Sequence, residues 1–177
     1  MTATDDRPRL PTSPPKGEIE PLILTALGAP RIELGGKAVQ FATRHASWAL
    51  FSLALAEDQT LSLEEVCFRL WPDASEGVLA RRLATMTWQM RRGLGEGAWR
   101  IIRTRQSLTL RLGPDDRVDL LEVRSQSRDV LENGTVPAGD LLKALDLPVL
   151  EPWSEFGWVQ SEQEAVAALR AAVLASA

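Results

Sequence analysis

Residues 76–94 constrain the fold more than any other stretch, because their apolar and basic side chains fall on different faces of one helix. The apolar residues recur three or four positions apart, which predicts a stripe facing a core: Leu83, Met86, Met90 and Leu94. The polar residues form a second stripe at similar spacing: Arg81, Thr85, Gln89 and Arg92, with Arg82 and Trp88 beside it. Glycines at positions 95 and 97 predict the end of the helix.

The flanking segments predict an α+β fold. Short β-prone runs between residues 22 and 41 indicate a small antiparallel sheet. Two helices are expected next, over 43–57 and over 62–72, the second opened by a Ser-x-x-Glu capping box. After helix 76–94, the alternation of leucine with polar residues predicts a β-hairpin over 99–112. Three helices followed by a hairpin are the order of a winged helix-turn-helix, whose third helix enters the major groove.

Composition and the order of the predicted elements divide the chain into three parts. Residues 1–20 are rich in Pro, Asp and Thr and have little to bury, which predicts a disordered tail. Residues 21–115 form the expected winged-helix DNA-binding domain, and residues 116–177 form a helical extension. Within that extension, helices are expected from about 118 and from about 157.

Charge is distributed unevenly along this chain of net charge -4. Between positions 80 and 112 there are eight arginines and a single acid, Glu96, whereas residues 113–177 carry 12 acids and five bases. A basic band within an acidic protein is typical of a surface that attracts nucleic acid. A solvated helix face without a ligand is the competing interpretation.

The polar stripe of helix 76–94 supplies the candidate DNA-binding residues. Arginine pairs with guanine, glutamine with adenine, and threonine contacts bases by hydrogen bond or methyl group. The predicted groove residues are Arg81, Arg82, Thr85, Gln89 and Arg92. Arg103 and Arg105 flank the hairpin turn and are expected to contact phosphate or the minor groove. Trp88 is interpreted either as a cover for the helix–hairpin junction or as a DNA contact.

Nothing in the sequence predicts catalysis, a metal or a cofactor. His45 is the single histidine, and Cys67, the single cysteine, lies in an amphipathic pattern beside apolar residues. The acids Asp115 and Asp116 follow Gly-Pro and are expected to be turn residues. We therefore expect a protein that is not an enzyme, makes no membrane contact and acts in the cytoplasm at the nucleoid.

Several motifs together resemble the DNA-binding domain of response regulators and of the antibiotic regulatory proteins called SARPs. They are "LGAPRIELGGKAVQF", "TRHASWALFSLALAEDQTLSLEEVCFRLWPDAS", "LARRLATMTWQMRRGLG" and "VDLLEVRSQSRDVL". The later stretch "AGDLLKALDLPVLEPWSEFGWVQSEQEAVAALRAA" is similar to the start of the bacterial transcriptional activator domain that follows in SARPs. The resemblance implies a winged helix, double-stranded DNA as the partner, and a bacterial transcription regulator with a shortened activator module.

A second function class stays open at this point. The acidic surroundings and the absence of the Gly-Tyr that this family carries in its hairpin motivate a protein-interaction adaptor that does not read DNA. Its partner would be RNA polymerase or another regulator, bound by the aromatic residues of the acidic segment: Trp153, Phe156 and Trp158. The oligomeric state is open as well, and a homodimer paired through the Ala-rich last helix is one arrangement.

Overall fold

The computed structural model describes residues 10–176, and in this range short strands and six helices form an α+β fold, as the sequence predicts. The strands are β1 (Leu22–Thr25), β2 (Arg31–Leu34), β3 (Lys37–Ala38), β4 (Thr60–Ser62), β5 (Ile101–Arg103), β6 (Ser107–Leu110) and β7 (Arg117–Val118). The helices are α1 (Arg44–Ala54), α2 (Leu63–Leu70), α3 (Glu76–Leu94), α4 (Asp119–Asn133), α5 (Gly139–Leu145) and α6 (Gly157–Ala175).

The first sheet has the strand order β3-β2-β1-β7. Strands β1 to β3 are antiparallel, as predicted, but β7 lies parallel to β1 and was not predicted. A strand of two residues has no periodicity of its own, and β7 is held in place by its neighbours in the chain. The carboxylate of Asp116 accepts the Leu22 N–H (2.7 Å), and that of Asp119 accepts the N–H groups of Ala26 (2.7 Å) and Leu27 (3.0 Å).

The predicted domain boundary after residue 115 therefore falls just before a strand of the N-terminal sheet. The predicted tail, 1–20, is described only in part, because residues 1–9 lie outside the described residues. Residues 10–20 contain no helix or strand, yet the carbonyls of Pro11 and Glu20 accept hydrogen bonds from Arg91 and Arg100.

Helix α1 lies at the centre of the core, with Leu50, Phe51 and Leu53 fully buried. The sequence predicts this helix as far as Glu57, but it ends at Ala54. The reason is a tight turn in which Asp58 and Gln59 both have positive φ, 50° and 51°, and which leads directly into β4.

The hairpin predicted over 99–112 is present as β5 and β6, and it belongs to a second sheet of order β4-β6-β5. Its third strand, β4, pairs antiparallel with β6 and was not predicted. Trp99 and Arg100, at the start of the predicted hairpin, instead form part of a 3-10 turn after α3. Leu108 and Leu110 point into the core, as their alternation indicates.

The ends of α2 and α3 follow local rules. Ser62 caps α2, because its hydroxyl accepts the Glu65 N–H at 3.0 Å. Helix α3 has the predicted bounds and ends at Gly95, whose φ of +52° a residue with a Cβ adopts at a cost. Gly93, two residues earlier, leaves room for the Phe41 ring, since a Cβ there would lie 2.3 Å from that ring.

The C-terminal helices pack against the first part of the chain. The Gly28 N–H donates to the Pro148 carbonyl (2.6 Å), and the Leu150 N–H donates to that of Ala26 (2.8 Å). Buried residues of α4, α5 and α6 belong to the same hydrophobic core as α1 and β1. Within residues 10–176, no helix is both long and apolar enough to cross a membrane.

Candidate nucleic-acid interface

Helix α3 presents two distinct faces. The predicted apolar stripe is buried throughout, with exposed fractions of 3% for Leu83, 2% for Met86, 0% for Met90 and 1% for Leu94. On the outer face, Arg81, Arg82 and Thr85 are exposed. Because the inner face is fixed in the core, the direction of the outer side chains is set by the fold.

Four of the seven predicted DNA-binding residues line one shallow cavity of about 370 Å³: Arg81, Arg82, Thr85 and Gln89. The opposite wall comes from Thr43 and His45 at the start of α1 and from Trp71 at the end of α2. These four residues thus belong to a surface in which three helices take part, and Arg92, the fifth predicted groove residue, does not line it. The contributions of α1 and α2 were missed, because their residues are distant in sequence from α3.

Gln89 is oriented by α1. The Thr43 hydroxyl donates to Gln89 Oε1 at 2.7 Å, and the Gln89 side chain is half-buried. Thr43 is also the residue before α1, yet its side chain makes no capping bond to that helix. Its hydroxyl therefore serves α3, where it fixes the carboxamide and leaves the Gln89 amide hydrogens available to a ligand.

His45 forms part of an aromatic stack beside this cavity. Its ring stacks on Trp71 with centroids 5.4 Å apart and meets the edge of Trp48 at 4.8 Å. Partial burial lowers the pKa of His45 below its ordinary value, and the positive charges of Arg44 and Arg82 lower it further. Burial and the neighbouring arginines thus both favour the neutral imidazole over the charged one.

Trp88 and Arg92 lie one turn of α3 beyond Thr85 and Gln89, respectively. The Arg92 guanidinium sits over the Trp88 ring, 5.0 Å from its centroid, and the tryptophan is 36% exposed. A guanidinium stacked in this way keeps its outer hydrogens free for a phosphate. Trp88 thus positions a predicted DNA-binding arginine.

The two hairpin arginines, Arg103 and Arg105, are exposed and do not line the α3 cavity. Arg103 is the last residue of β5, and Arg105 lies within the turn that leads to β6. Hydrogen bonds brace this turn, since Thr104 Oγ1 accepts the N–H groups of Gln106 (3.1 Å) and Ser107 (3.0 Å). The Leu63 N–H donates to the Gln106 carbonyl at 2.9 Å, which ties the turn to the first residue of α2.

Arg100 is one of the eight arginines between positions 80 and 112, but it contributes nothing to the outer surface. Its side chain and that of Asp116 are each 1% exposed, and they form a bidentate ion pair at 2.7 and 2.8 Å. The interpretation of Asp116 as a plain turn residue is therefore incomplete. Burial alone would raise its pKa, but hydrogen bonds from Arg100, Leu22 and Gly113 together hold the pKa below its ordinary value.

The predicted partner-binding aromatics are turned largely inward. Phe156 packs edge-on against Trp48 of α1 (4.5 Å between centroids), and Trp153 packs against Phe51 (5.5 Å). Trp158 stacks on Phe156 at 6.3 Å and is half-buried. These contacts give Trp153 and Phe156 a role within the chain, joining the C-terminal helices to α1.

Groups of three or more His, Cys, Asp or Glu that could hold a metal ion do not occur within residues 10–176.

Comparisons of sequence found no protein-family model and no curated protein that matches the chain. Comparison of structures found the fold in Mycobacterium tuberculosis EmbR, solved in complex with a low-affinity phosphopeptide. The two share a TM-score of 0.64 at 14% sequence identity, over 89% of this chain and 44% of the EmbR chain. The chain therefore spans less than half the length of that neighbour, and the likeness is one of fold.

Proposed function

We propose that the chain is a transcription regulator that inserts α3 into the major groove of double-stranded DNA. One observation carries the proposal: the outer face of α3 presents Arg81, Arg82, Thr85 and Gln89 together, while its inner face is locked into the core. A helix held in this way can lie in the major groove, which is wide enough to admit it.

The chemistry of these side chains suits both parts of DNA recognition. Arg81 and Arg82 provide bidentate donors for guanine or charge for phosphate, and Thr85 provides a methyl and a hydroxyl. Thr43 holds the Gln89 side chain in one orientation, which favours a specific hydrogen bond to a base over a nonspecific contact with DNA. Arg92, fixed over Trp88, is placed to bind phosphate at the end of the helix.

The hairpin has the features of a wing. Arg103 precedes the hairpin turn and Arg105 lies within it; the turn is hydrogen-bonded internally and tied to α2, so the backbone at both residues is fixed before DNA binds. In this role they bind phosphate or the minor groove and add affinity with little sequence preference. The fold shared with EmbR and the motifs that resemble SARPs support this assignment.

Selection of bound sequences from a random DNA pool tests the proposal. We expect a consensus to emerge and its affinity, measured by fluorescence anisotropy, to fall at least tenfold in the Arg81→Ala/Arg82→Ala variant. Arg128→Ala, an exposed arginine on α4, is the matched control and should bind as the wild type does. Unchanged affinity of the double variant for every sequence would refute α3 as the reading helix. The symmetry of the consensus also reports whether one or two copies bind.

A further inference from the structure

Phe68 is the most exposed aromatic side chain within residues 10–176, at 69%. It lies on the outer face of α2, whose inner face is buried through Val66 and Leu70. A single exposed apolar residue is ordinary on a protein surface. Phe68 differs because it stands between two cavities whose linings combine aromatic and apolar side chains with charged ones.

The first cavity, of about 690 Å³, lies between α2 and the start of α3 and is lined by Cys67, Trp71, Leu79 and Leu83 among others. The second, of about 440 Å³, lies between α2 and the start of α6 and includes Phe156 and Trp158. Phe68, Glu65 and Pro72 line both cavities, which therefore adjoin. We call this continuous area the Phe68 surface.

The charge around the Phe68 surface is negative. Its lining includes five glutamates and one arginine: Glu64, Glu65, Glu76, Glu155, Glu162 and Arg69. Arg69 is paired with Glu65 at 2.7 Å, and Glu162 is paired with Arg124 of α4. The negative charge of this surface therefore comes from Glu64, Glu76 and Glu155, which form no ion pair among the described residues. This field repels phosphate and attracts a cationic ligand, in contrast to the outer face of α3.

We propose that the Phe68 surface binds a basic polypeptide segment of a protein partner, in which an apolar side chain is flanked by lysine or arginine. The apolar anchor enters a cavity beside Phe68, and the flanking cations face the glutamates. An apolar centre with a charged rim is the usual anatomy of a protein-binding site, and charge complementarity selects the basic partner over an acidic one.

The Phe68 surface and the proposed DNA-binding surface use different faces of α3. Glu76, Leu79 and Leu83 line the first cavity, whereas Arg81 and Thr85 line the DNA-side cavity. Trp71 lines both cavities, so the two surfaces adjoin at the end of α2. The proposal does not depend on DNA binding, and its residues are separable from Arg81 and Arg82 by mutation.

Random 12-residue peptides displayed on phage and panned against the full chain test this proposal, with counter-selection on the Phe68→Ser variant. We expect enriched peptides to combine Lys or Arg with a large apolar residue. The dissociation constant of the best synthetic peptide should rise at least tenfold in Phe68→Ser and in Glu64→Lys/Glu155→Lys. Val136→Ser is the matched control, since Val136 is also exposed (85%) but lies far along the chain in the α4–α5 connection.

The two variants are independent, so loss of fold in one does not remove the test. Far-ultraviolet circular dichroism and urea denaturation show whether each variant is folded, while Arg81→Ala/Arg82→Ala should keep the peptide affinity. Absence of a basic consensus, or equal peptide affinity in wild type and both variants, overturns the proposal. So does sedimentation showing a wild-type dimer that Phe68→Ser converts to monomer, because the occupant is then a second copy of the chain.

Discussion

The hydrogen bond between Thr43 and Gln89 is a residue-scale feature that ties the start of α1 to the proposed DNA-binding surface. Gln89 accepts from Thr43 at 2.7 Å, so its carboxamide already has a direction in the absence of DNA. We expect Gln89→Ala to weaken binding of the selected sequence by about 1–3 kcal/mol, the discrimination of a bidentate base contact. Binding of unrelated DNA should change little, and fluorescence anisotropy with both duplexes measures the difference.

Thr43→Val separates orientation from contact. Valine keeps the shape of threonine and removes the hydroxyl, and no capping bond is lost because Thr43 makes none to α1. We expect a loss of about 0.5–1.5 kcal/mol in binding of the selected sequence, the net value of one hydrogen bond. In a double-mutant cycle the loss should vanish when Gln89 is already alanine. An equal loss in both backgrounds would show that Thr43 acts independently of Gln89.

His45 gives a second residue-scale prediction, because it is the single histidine and its NMR signals are unambiguous. Its pKa is lowered by burial and by Arg44 and Arg82. A DNA phosphate beside Arg82 would offset that positive charge, so we expect the pKa of His45 to rise when DNA binds. Proton uptake on binding makes the affinity increase as the pH falls below about 6.5, the ordinary value for histidine. In His45→Gln this pH dependence should disappear; its persistence would assign it to another group.

The buried pair of Arg100 and Asp116 governs stability rather than binding. The pKa of Asp116 is lowered in the folded state, so its stabilising effect is full above the unfolded value of about 3.9 and is lost as the pH falls through the folded pKa. We expect Asp116→Asn to lower the free energy of unfolding at pH 7 by about 3–5 kcal/mol, because Arg100 stays buried without its partner. Urea denaturation measures this change.

The Asp116→Asn variant also shows how much of the acid dependence of stability comes from Asp116. The wild type should lose stability below pH about 4, and the Asp116→Asn protein should lose less over the same range. Asp115→Asn is the matched control, since Asp115 is the exposed neighbour in the same turn. An identical acid dependence in wild type and Asp116→Asn would show that other carboxylates dominate.

At the scale of elements, α3 and the hairpin were predictable because each carries a long periodic pattern. The spacing of Leu83, Met86, Met90 and Leu94 defines a helix face without help from the rest of the chain. Strands β4 and β7 were not predictable, since each has two or three residues and exists through partners distant in sequence. The same distinction applies to the candidate site. Its residues on α3 could be predicted from the helical periodicity, whereas Thr43, His45 and Trp71 could not, because only tertiary packing brings them next to α3.

The hairpin as an element carries its own prediction. If Arg103 and Arg105 bind phosphate, replacing both with alanine should weaken binding of all sequences to a similar extent. The slope of log affinity against log salt should decrease by about 1.8, because each phosphate contact contributes about 0.9. Anisotropy titrations at several salt concentrations measure the slope, with Arg128→Ala as control. A changed consensus with an unchanged slope would mean that the hairpin reads bases instead.

At the scale of the whole molecule, the C-terminal helices are continuous with the rest of the fold. Strand β7 joins the N-terminal sheet, and Leu27 forms an antiparallel bridge with Val149. Phe156 and Trp153 pack against Trp48 and Phe51, so the centre of the core is closed by the segment before α6. Residues 21–115 thus share their interior with the extension.

This shared interior predicts a single cooperative unfolding transition. Tryptophan fluorescence and far-ultraviolet circular dichroism should give coincident urea curves, as expected for a two-state domain. Trp153→Ala should lower the midpoint by both probes together, with a loss at or below the ~3–5 kcal/mol of a fully buried aromatic, because Trp153 is only half-buried. Leu174→Ala, an exposed apolar change on α6, should leave both curves in place. Two separate transitions, with Trp153→Ala shifting only one, would instead show that the extension folds on its own, and the aromatic contacts to α1 would then join two units without making them one.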